Sequence, residues 1–220
     1  MTWSEWLDFF LPYVPGFLRA SWVVLVLTLL VILVSWVCGL LAALAKASQL
    51  GFLRRASEFY IWFIRGTPAL IQIFIVYFGL PRFGIHLSPF VAGVLALGFN
   101  SGAYVAEIVR SGLSAIPKGQ MESSLALGMS RFDAMFRIIL PQVVRVILPS
   151  ITNEAISTLK NTSLLSTITV VELTLYAQTI IATTFRPFEF YIATAVIYLV
   201  LTTLLTQASA WMERRNARYL

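Results

Sequence analysis

The sequence predicts an all-α integral membrane protein: five transmembrane helices with a helical cytoplasmic loop set between the third and fourth. Three observations carry that expectation. Of 220 residues, 59% are hydrophobic and only 12% charged, with a mean hydropathy of +0.84. The apolar residues gather in stretches long enough to cross a bilayer, and Lys and Arg concentrate in alternate loops. Soluble domains carry about 25% charged residues and disordered chains combine few apolar residues with many charges, so both classes are excluded. The net charge of +6 and pI near 9.8 fit basic loops on a membrane face rather than a nucleic-acid partner. The only cysteine, Cys38, and the only histidine, His86, exclude an internal disulfide and leave little for a metal site.

A hydrocarbon core about 30 Å thick needs roughly 20 helical residues. No charge falls between Arg19 and Lys46, which places a first span at 21–45. The segment before it, Met1–Phe17, carries Glu5, Asp8 and two prolines and does not read as a cleaved signal peptide. A second span is expected at 59–80, with Arg65-Gly66-Thr67-Pro68 as a chemical interruption, and a third at 89–110. The fourth, at 148–168, stays apolar around Glu154 and Lys160, and a short amphipathic segment follows to Thr184. The fifth is the uncharged run at 190–212, and all five belong to one transmembrane domain, 1–220. Trp3, Trp6, Trp22 and Trp211 read as interfacial belts.

With the N-terminus outside, the inner segments hold Lys46, Arg54, Arg55, Arg110, Lys118, Arg131, Arg137, Arg145, Arg214, Arg215 and Arg218, against Arg19, Arg82 and Arg186 outside. The positive-inside bias therefore favours N-out and C-in, and puts the loop at 113–141 in the cytoplasm. Five helices enclose little space alone, so a symmetric or pseudosymmetric dimer is expected.

That loop is patterned. Gln120–Leu127 reads as a helix with Met121, Leu125 and Ala126 on one side and Glu122 in its first turn, favourable to the helix dipole. Gly128 stands where a left-handed residue ends such a helix. Ser130-Arg131-Phe132-Asp133 fits a capping box, and Pro141 and Pro149 are expected to stop and redirect the chain. The corner reads as a well-capped loop, or as a stiff lever gripped by another protein.

Charges at membrane depth cost about 2.5–3.5 kcal/mol each on the insertion scale and face protein or water. Arg65 reads as a snorkelling residue or as part of a helix break whose freed backbone could meet a solute. Glu107 and Arg110, three apart, read as a structural pair. Glu154 and Lys160 face separate sides of a helix, while Asn153, Ser157 and Asn161 form a polar stripe at i, i+4 and i+8. For a zwitterionic amino acid, Glu154 is the candidate acceptor for the ammonium, with Asn161, Thr162 or hydroxyls on the stripe as donors to the carboxylate. The stripe also reads as a polar seam between helices or subunits. His86 reads as a solvated loop residue.

Glu122-Ser123-Ser124, then Gly128 and Ile139-Leu140-Pro141, resemble the "EAA…G…I-LP" loop of permease subunits of ATP-binding-cassette importers. Arg65-Gly66-Thr67-Pro68 with Gln72, the run Tyr104–Arg110, Pro117-Lys118-Gly119-Gln120, and Leu148-Pro149, Asn153 and Leu159–Leu164 resemble further signatures of the polar amino-acid (histidine, glutamine and arginine) permeases. The motifs cover roughly 58–175. Two departures stand out: Glu-Ser-Ser replaces Glu-Ala-Ala, and Asn161 stands where many relatives carry an acid. The resemblance implies a type I importer permease of the bacterial cytoplasmic (inner) membrane, taking amino acid from an external substrate-binding protein. It implies ATPase subunits that bind ATP and Mg, since this chain has no Gly-x-x-x-x-Gly-Lys-[Ser/Thr] loop, and a second permease, identical or paralogous. It implies a lipid bilayer around the chain, no nucleic acid, and no cofactor in this chain. It nominates Glu122, Ser123, Ser124, Ala126, Gly128 and Arg131 for ATPase coupling, and Thr67, Gln72, Tyr104, Glu154, Ser157, Asn161 and Thr162 for substrate. Two other readings stay open: a secondary transporter using Glu154 as its coupling carboxylate, and a membrane enzyme. The second lacks Gly-x-Ser-x-Gly, His-Glu-x-x-His and a second His, so a translocation subunit that is not an enzyme is expected.

Overall fold

The computed structural model describes residues 9–217, with side chains to 211; Trp3, Trp6 and Arg218, and the side chains of Arg214 and Arg215, lie outside that description. Among the described residues there is no strand, and the all-α expectation is met. Among the described residues, four helices are long and apolar enough to cross a membrane, or five when one sharply bent pair is taken as a span.

After a 3-10 turn at Leu11–Tyr13, α1 runs from Val14 to Ala47, longer at both ends than the expected 21–45. Its two faces separate by helical period. Leu18, Trp22, Leu25, Leu29, Leu33, Val37 and Leu41 form an exposed apolar row suited to lipid, while Phe17, Val24, Leu27, Val31, Ser35, Gly39 and Ala42 are buried. The buried face meets α4, Pro89–Ala115, in the most extensive helix pairing of the molecule.

Lipid tails are as apolar as Leu, so this pairing rests on close van der Waals approach and not on hydrophobic expulsion. Small residues provide it. A Cβ added at Gly98 would lie 2.4 Å from Val34 Cγ1, and one at Gly39 would lie 2.6 Å from Val105 Cγ1. The hydroxyl of Ser57 donates to Ala42 O at 2.7 Å, and that of Tyr60 to Phe99 O at 2.6 Å, fastening α2 (Gly51–Gly66) onto the same pair.

The expected second span is not one straight helix. α2 ends at Gly66, and α3 (Ala69–Phe83, finishing in π and 3-10 turns) leaves it at a bend of 112°. Pro68 supplies no N–H, and its ring forces Thr67 into extended backbone, φ −123° and ψ 148°.

The fourth element corrects a larger expectation. α6 runs from Arg131 to Ile168, beginning well before 148. Neither Pro141 nor Pro149 stops it. A π segment, Ala134–Ile139, lies immediately before Pro141 and widens the turn there, and Pro149 is carried inside the regular stretch Leu140–Asn161. The last part of the expected cytoplasmic loop is therefore the root of this helix. A 3-10 turn, Thr162–Ile168, closes it. α7 (Leu173–Thr184) and α8 (Pro187–Ala217) are the last described elements, packing with the N-terminal part of α1 around Phe17, Leu173, Ala177 and Phe190.

Sequence reading overlooked Glu172. Its carboxylate is fully buried and caps α7, accepting from Thr174 N and Leu175 N at 2.9 Å each and from the Tyr198 hydroxyl of α8 at 2.7 Å. An acidic residue just before an apolar helical run was the available signal.

Candidate functional site

The corner between α4 and α6 is built from capping geometry. α5 spans Lys118–Ala126, so it starts two positions earlier than expected and Glu122 sits beyond its first turn, outside the dipole argument. Its end is a complete Schellman motif: Gly128 N donates to Leu125 O at 2.9 Å and Met129 N to Ser124 O at 3.1 Å. That closure holds Gly128 at φ +82°, and a Cβ added there would meet nothing within 4 Å. Glycine is therefore favoured by backbone handedness and not by space.

The restart is equally tight. Ser130 Oγ accepts from Asp133 N at 3.0 Å and donates to the Asp133 carboxylate at 2.6 Å, with Arg137 3.2 Å from the other oxygen. Half of the expected capping box forms, since the carboxylate takes the Ser130 hydroxyl. Gln142 Nε2 reaches Gln120 Oε1 at 3.3 Å, and Met121 packs on Ile139, Val143 and Ile147, tying α5 to the root of α6. Ala126, expected beside Met121, is exposed.

Of the coupling candidates, Glu122, Ser123, Ala126, Gly128 and Arg131 are exposed together on this corner. Ser124 is not: it is buried, and its hydroxyl donates to Gln120 O at 2.7 Å. Leu127, Phe132 and Phe136 also project from the corner, the two rings 4.4 Å apart.

The substrate candidates divide into three places. At the 112° bend, buried Gln72 turns its amide onto the broken backbone, donating to Ile64 O at 2.8 Å, Thr67 O at 3.1 Å and Thr67 Oγ1 at 2.8 Å. Asn100 of α4 donates in turn to Gln72 Oε1 at 3.0 Å. Thr67 and Gln72 are thus committed to holding the break. The second place is the α4–α6 seam, where Ser101 Oγ donates to Glu154 Oε1 at 2.7 Å and lies 3.3 Å from Thr158 Oγ1. The void beside them is about 10 Å³, far too small for an amino acid. Ser157 and Asn161 are half-buried on a neighbouring face, and Thr162 is fully buried with its hydroxyl on Leu159 O. Lys160 is exposed, away from Glu154 as expected.

Tyr104 belongs to the third place. Glu107 and Arg110 do pair, at 2.9 Å, and the cluster is larger than expected: Lys46 Nζ lies 2.7 Å from Glu107 Oε1 and Arg65 Nη1 3.8 Å from Oε2. The Arg65 guanidinium also stands 5.6 Å above the Tyr104 ring. Arg65, Tyr104, Glu107 and Arg110 line an open cleft of about 570 Å³ between α2, α4 and α6, with Ser111, Val146 and Ser150, while Lys46 meets Glu107 from outside that lining. His86, as expected, is an exposed loop residue, and no cluster able to hold a metal occurs among the described residues.

Residues 35–218 match the family described as binding-protein-dependent transport system inner membrane component. The chain is 40% identical over 195 residues to the L-cystine transport system permease protein TcyB of Bacillus subtilis (strain 168), covering 88% of this chain and 83% of that protein. It is 38% identical over 206 residues to the glutamine transport system permease protein GlnP of Escherichia coli (strain K12), covering 93% and 94%. Its structure is similar to one described as an amino acid ABC transporter with histidines, with TM-score 0.86, 37% identity and coverage of 98% and 99%. An inward-facing MetNI methionine ABC transporter shares the fold at TM-score 0.78 and 18% identity.

Proposed function

The chain belongs to the family of binding-protein-dependent transport system inner membrane components, and from that premise we propose how its geometry serves transport. It is a permease subunit of an ATP-binding-cassette importer of amino acids, a translocation component that is not itself catalytic. Importers of this kind work with ATPase subunits and a substrate-binding protein, and nothing in the comparisons supports the ion-gradient alternative.

Two copies, or this chain and a paralogue, form the path, with N-termini outside and C-termini in the cytoplasm. The observation that carries this reading is the rigid corner at Gly128, capped on both sides and braced onto α6. A force applied to Glu122, Ser123, Ala126 and Arg131 passes into a helix that is continuous from Arg131 to Ile168. That helix carries Glu154, Ser157 and Asn161 past α4. ATP and Mg, held by the partner ATPases, supply the energy, and the corner receives the resulting motion.

The Ser101–Glu154–Thr158 seam is closed in this arrangement. Rocking of α6 against α4 opens it, which frees the Glu154 carboxylate for an amino-acid ammonium and brings Ser157 and Asn161 to bear on the solute. Thr67 and Gln72 hold the α2–α3 break that borders the path. Thr162 keeps the end of α6 closed.

The test is uptake of labelled amino acids, including glutamine and cystine, into proteoliposomes holding the permease, its ATPase and its binding protein. Uptake that requires ATP and survives an ionophore supports the reading. Uptake without the ATPase, abolished by an ionophore, overturns it.

A further inference from the structure

The cleft beside Glu107 has a charge excess that structural pairing leaves unexplained. Three cations, Lys46, Arg65 and Arg110, converge on one carboxylate. Lys46 at 2.7 Å and Arg110 at 2.9 Å already satisfy Glu107. Arg65 stands off at 3.8 Å with its side chain 46% exposed, and its guanidinium lies 5.6 Å over the Tyr104 ring. A cation is costly to keep at the edge of the apolar layer, and a planar guanidinium presents paired donors matched to a carboxylate. The cleft is about 570 Å³, within the range of small-molecule sites. It also offers the hydroxyls of Ser111 and Ser150 and the apolar walls of Ile108 and Val146. Its lining reaches Ala115, immediately before the coupling corner.

We infer that this cleft is a second amino-acid station, distinct from the Glu154 seam, in which Arg65 holds the α-carboxylate of the solute on its way to the corner side of the membrane. The Ser150 hydroxyl faces the ammonium, and Val146 and Ile108 accommodate the side chain. The inference rests on the importer reading. It explains why the seam needs no standing cavity: a solute released from the seam has a larger, charged space waiting below it.

The experiment uses the assembled permease–ATPase complex in nanodiscs, without binding protein and without nucleotide. The probe is the radiolabelled amino acid that the proteoliposome assay shows to be carried, and the competitor is its α-amide, which keeps the ammonium and side chain. If no amino acid is carried, the importer reading falls and this station falls with it. Given uptake, the wild-type complex is expected to bind the amino acid saturably and to discriminate against the amide. Arg65→Gln should weaken binding about tenfold or more and erase that discrimination, while Arg65→Lys restores part of it. If Arg65→Gln does not assemble, Arg65→Lys and the amide competition still decide. Unchanged binding in Arg65→Gln or Arg65→Lys, or equal competition by the amide, overturns the station while leaving the importer reading intact. Displacement of the amino acid when phosphatidylglycerol replaces phosphatidylcholine marks a lipid-headgroup site and also overturns it.

Discussion

The amide of Gln72 lies 2.8 Å from Ile64 O, across the place where Pro68 ends α2. A helix break leaves carbonyls without partners, and in a bilayer no water replaces them. Gln72 supplies the missing donors from the next helix, and Asn100 orients it at 3.0 Å.

Gln72→Leu should therefore destabilise the protein strongly. It strands Ile64 O and the Asn100 amide, each at a cost of about 1–3 kcal/mol. The expected result is a clear fall in the Tm of the detergent-purified permease, larger than for Asn100→Leu, because two helices lose their tie. An unchanged Tm would show that the break is held by something else.

The α1–α4 pairing makes a prediction of opposite character, from crowding. In Gly98→Ala the new Cβ lies 2.4 Å from Val34 Cγ1, and overpacking of this kind costs about 1–3 kcal/mol. Val34→Ala removes the methyl at 2.4 Å but leaves its own Cβ at 2.7 Å, so the double variant should recover only part of the lost Tm. A strictly additive double-mutant cycle would argue against direct contact.

Glu172 and Tyr198 give a third. Glu172→Ala loses the α7 cap, worth about 0.5–2 kcal/mol, and leaves the half-buried Tyr198 hydroxyl without its Glu172 acceptor. Limited proteolysis should then cut earlier near Leu173–Thr184, with Tyr198→Phe showing a smaller effect in the same place. Equal protection of Glu172→Ala and wild type would contradict this role.

Much of the fold was legible from hydropathy, because a long uncharged run such as Ala20–Ala45 has few alternatives. The corner was legible for another reason: Gly128, Ser130 and Asp133 are local signals, and capping acts within a few residues. Two things were not legible. Pro141 and Pro149 look like breaks in sequence, yet the π segment and tertiary packing carry α6 through both. The destinations of polar side chains were also hidden. Gln72 and Thr162 look like solute ligands in a list of polar residues, but each is consumed by a backbone carbonyl made available by the fold. Arg65, Lys46 and Glu107 are too far apart in sequence for their convergence to be read, since it depends on how α1, α2 and α4 cross.

The coupling claim rests on Gly128, and the most direct measurement is ATP-driven amino-acid uptake by reconstituted complexes carrying Gly128→Asn or Gly128→Val. With φ at +82° and open space around the Cβ position, Asn tolerates the left-handed backbone and β-branched Val does not, by about 1–2 kcal/mol. The account predicts near-normal uptake for Gly128→Asn. It predicts sharply reduced uptake for Gly128→Val, with the permease still inserted in the membrane and ATP hydrolysis no longer linked to transport. Full, ATP-coupled uptake by Gly128→Val would contradict it.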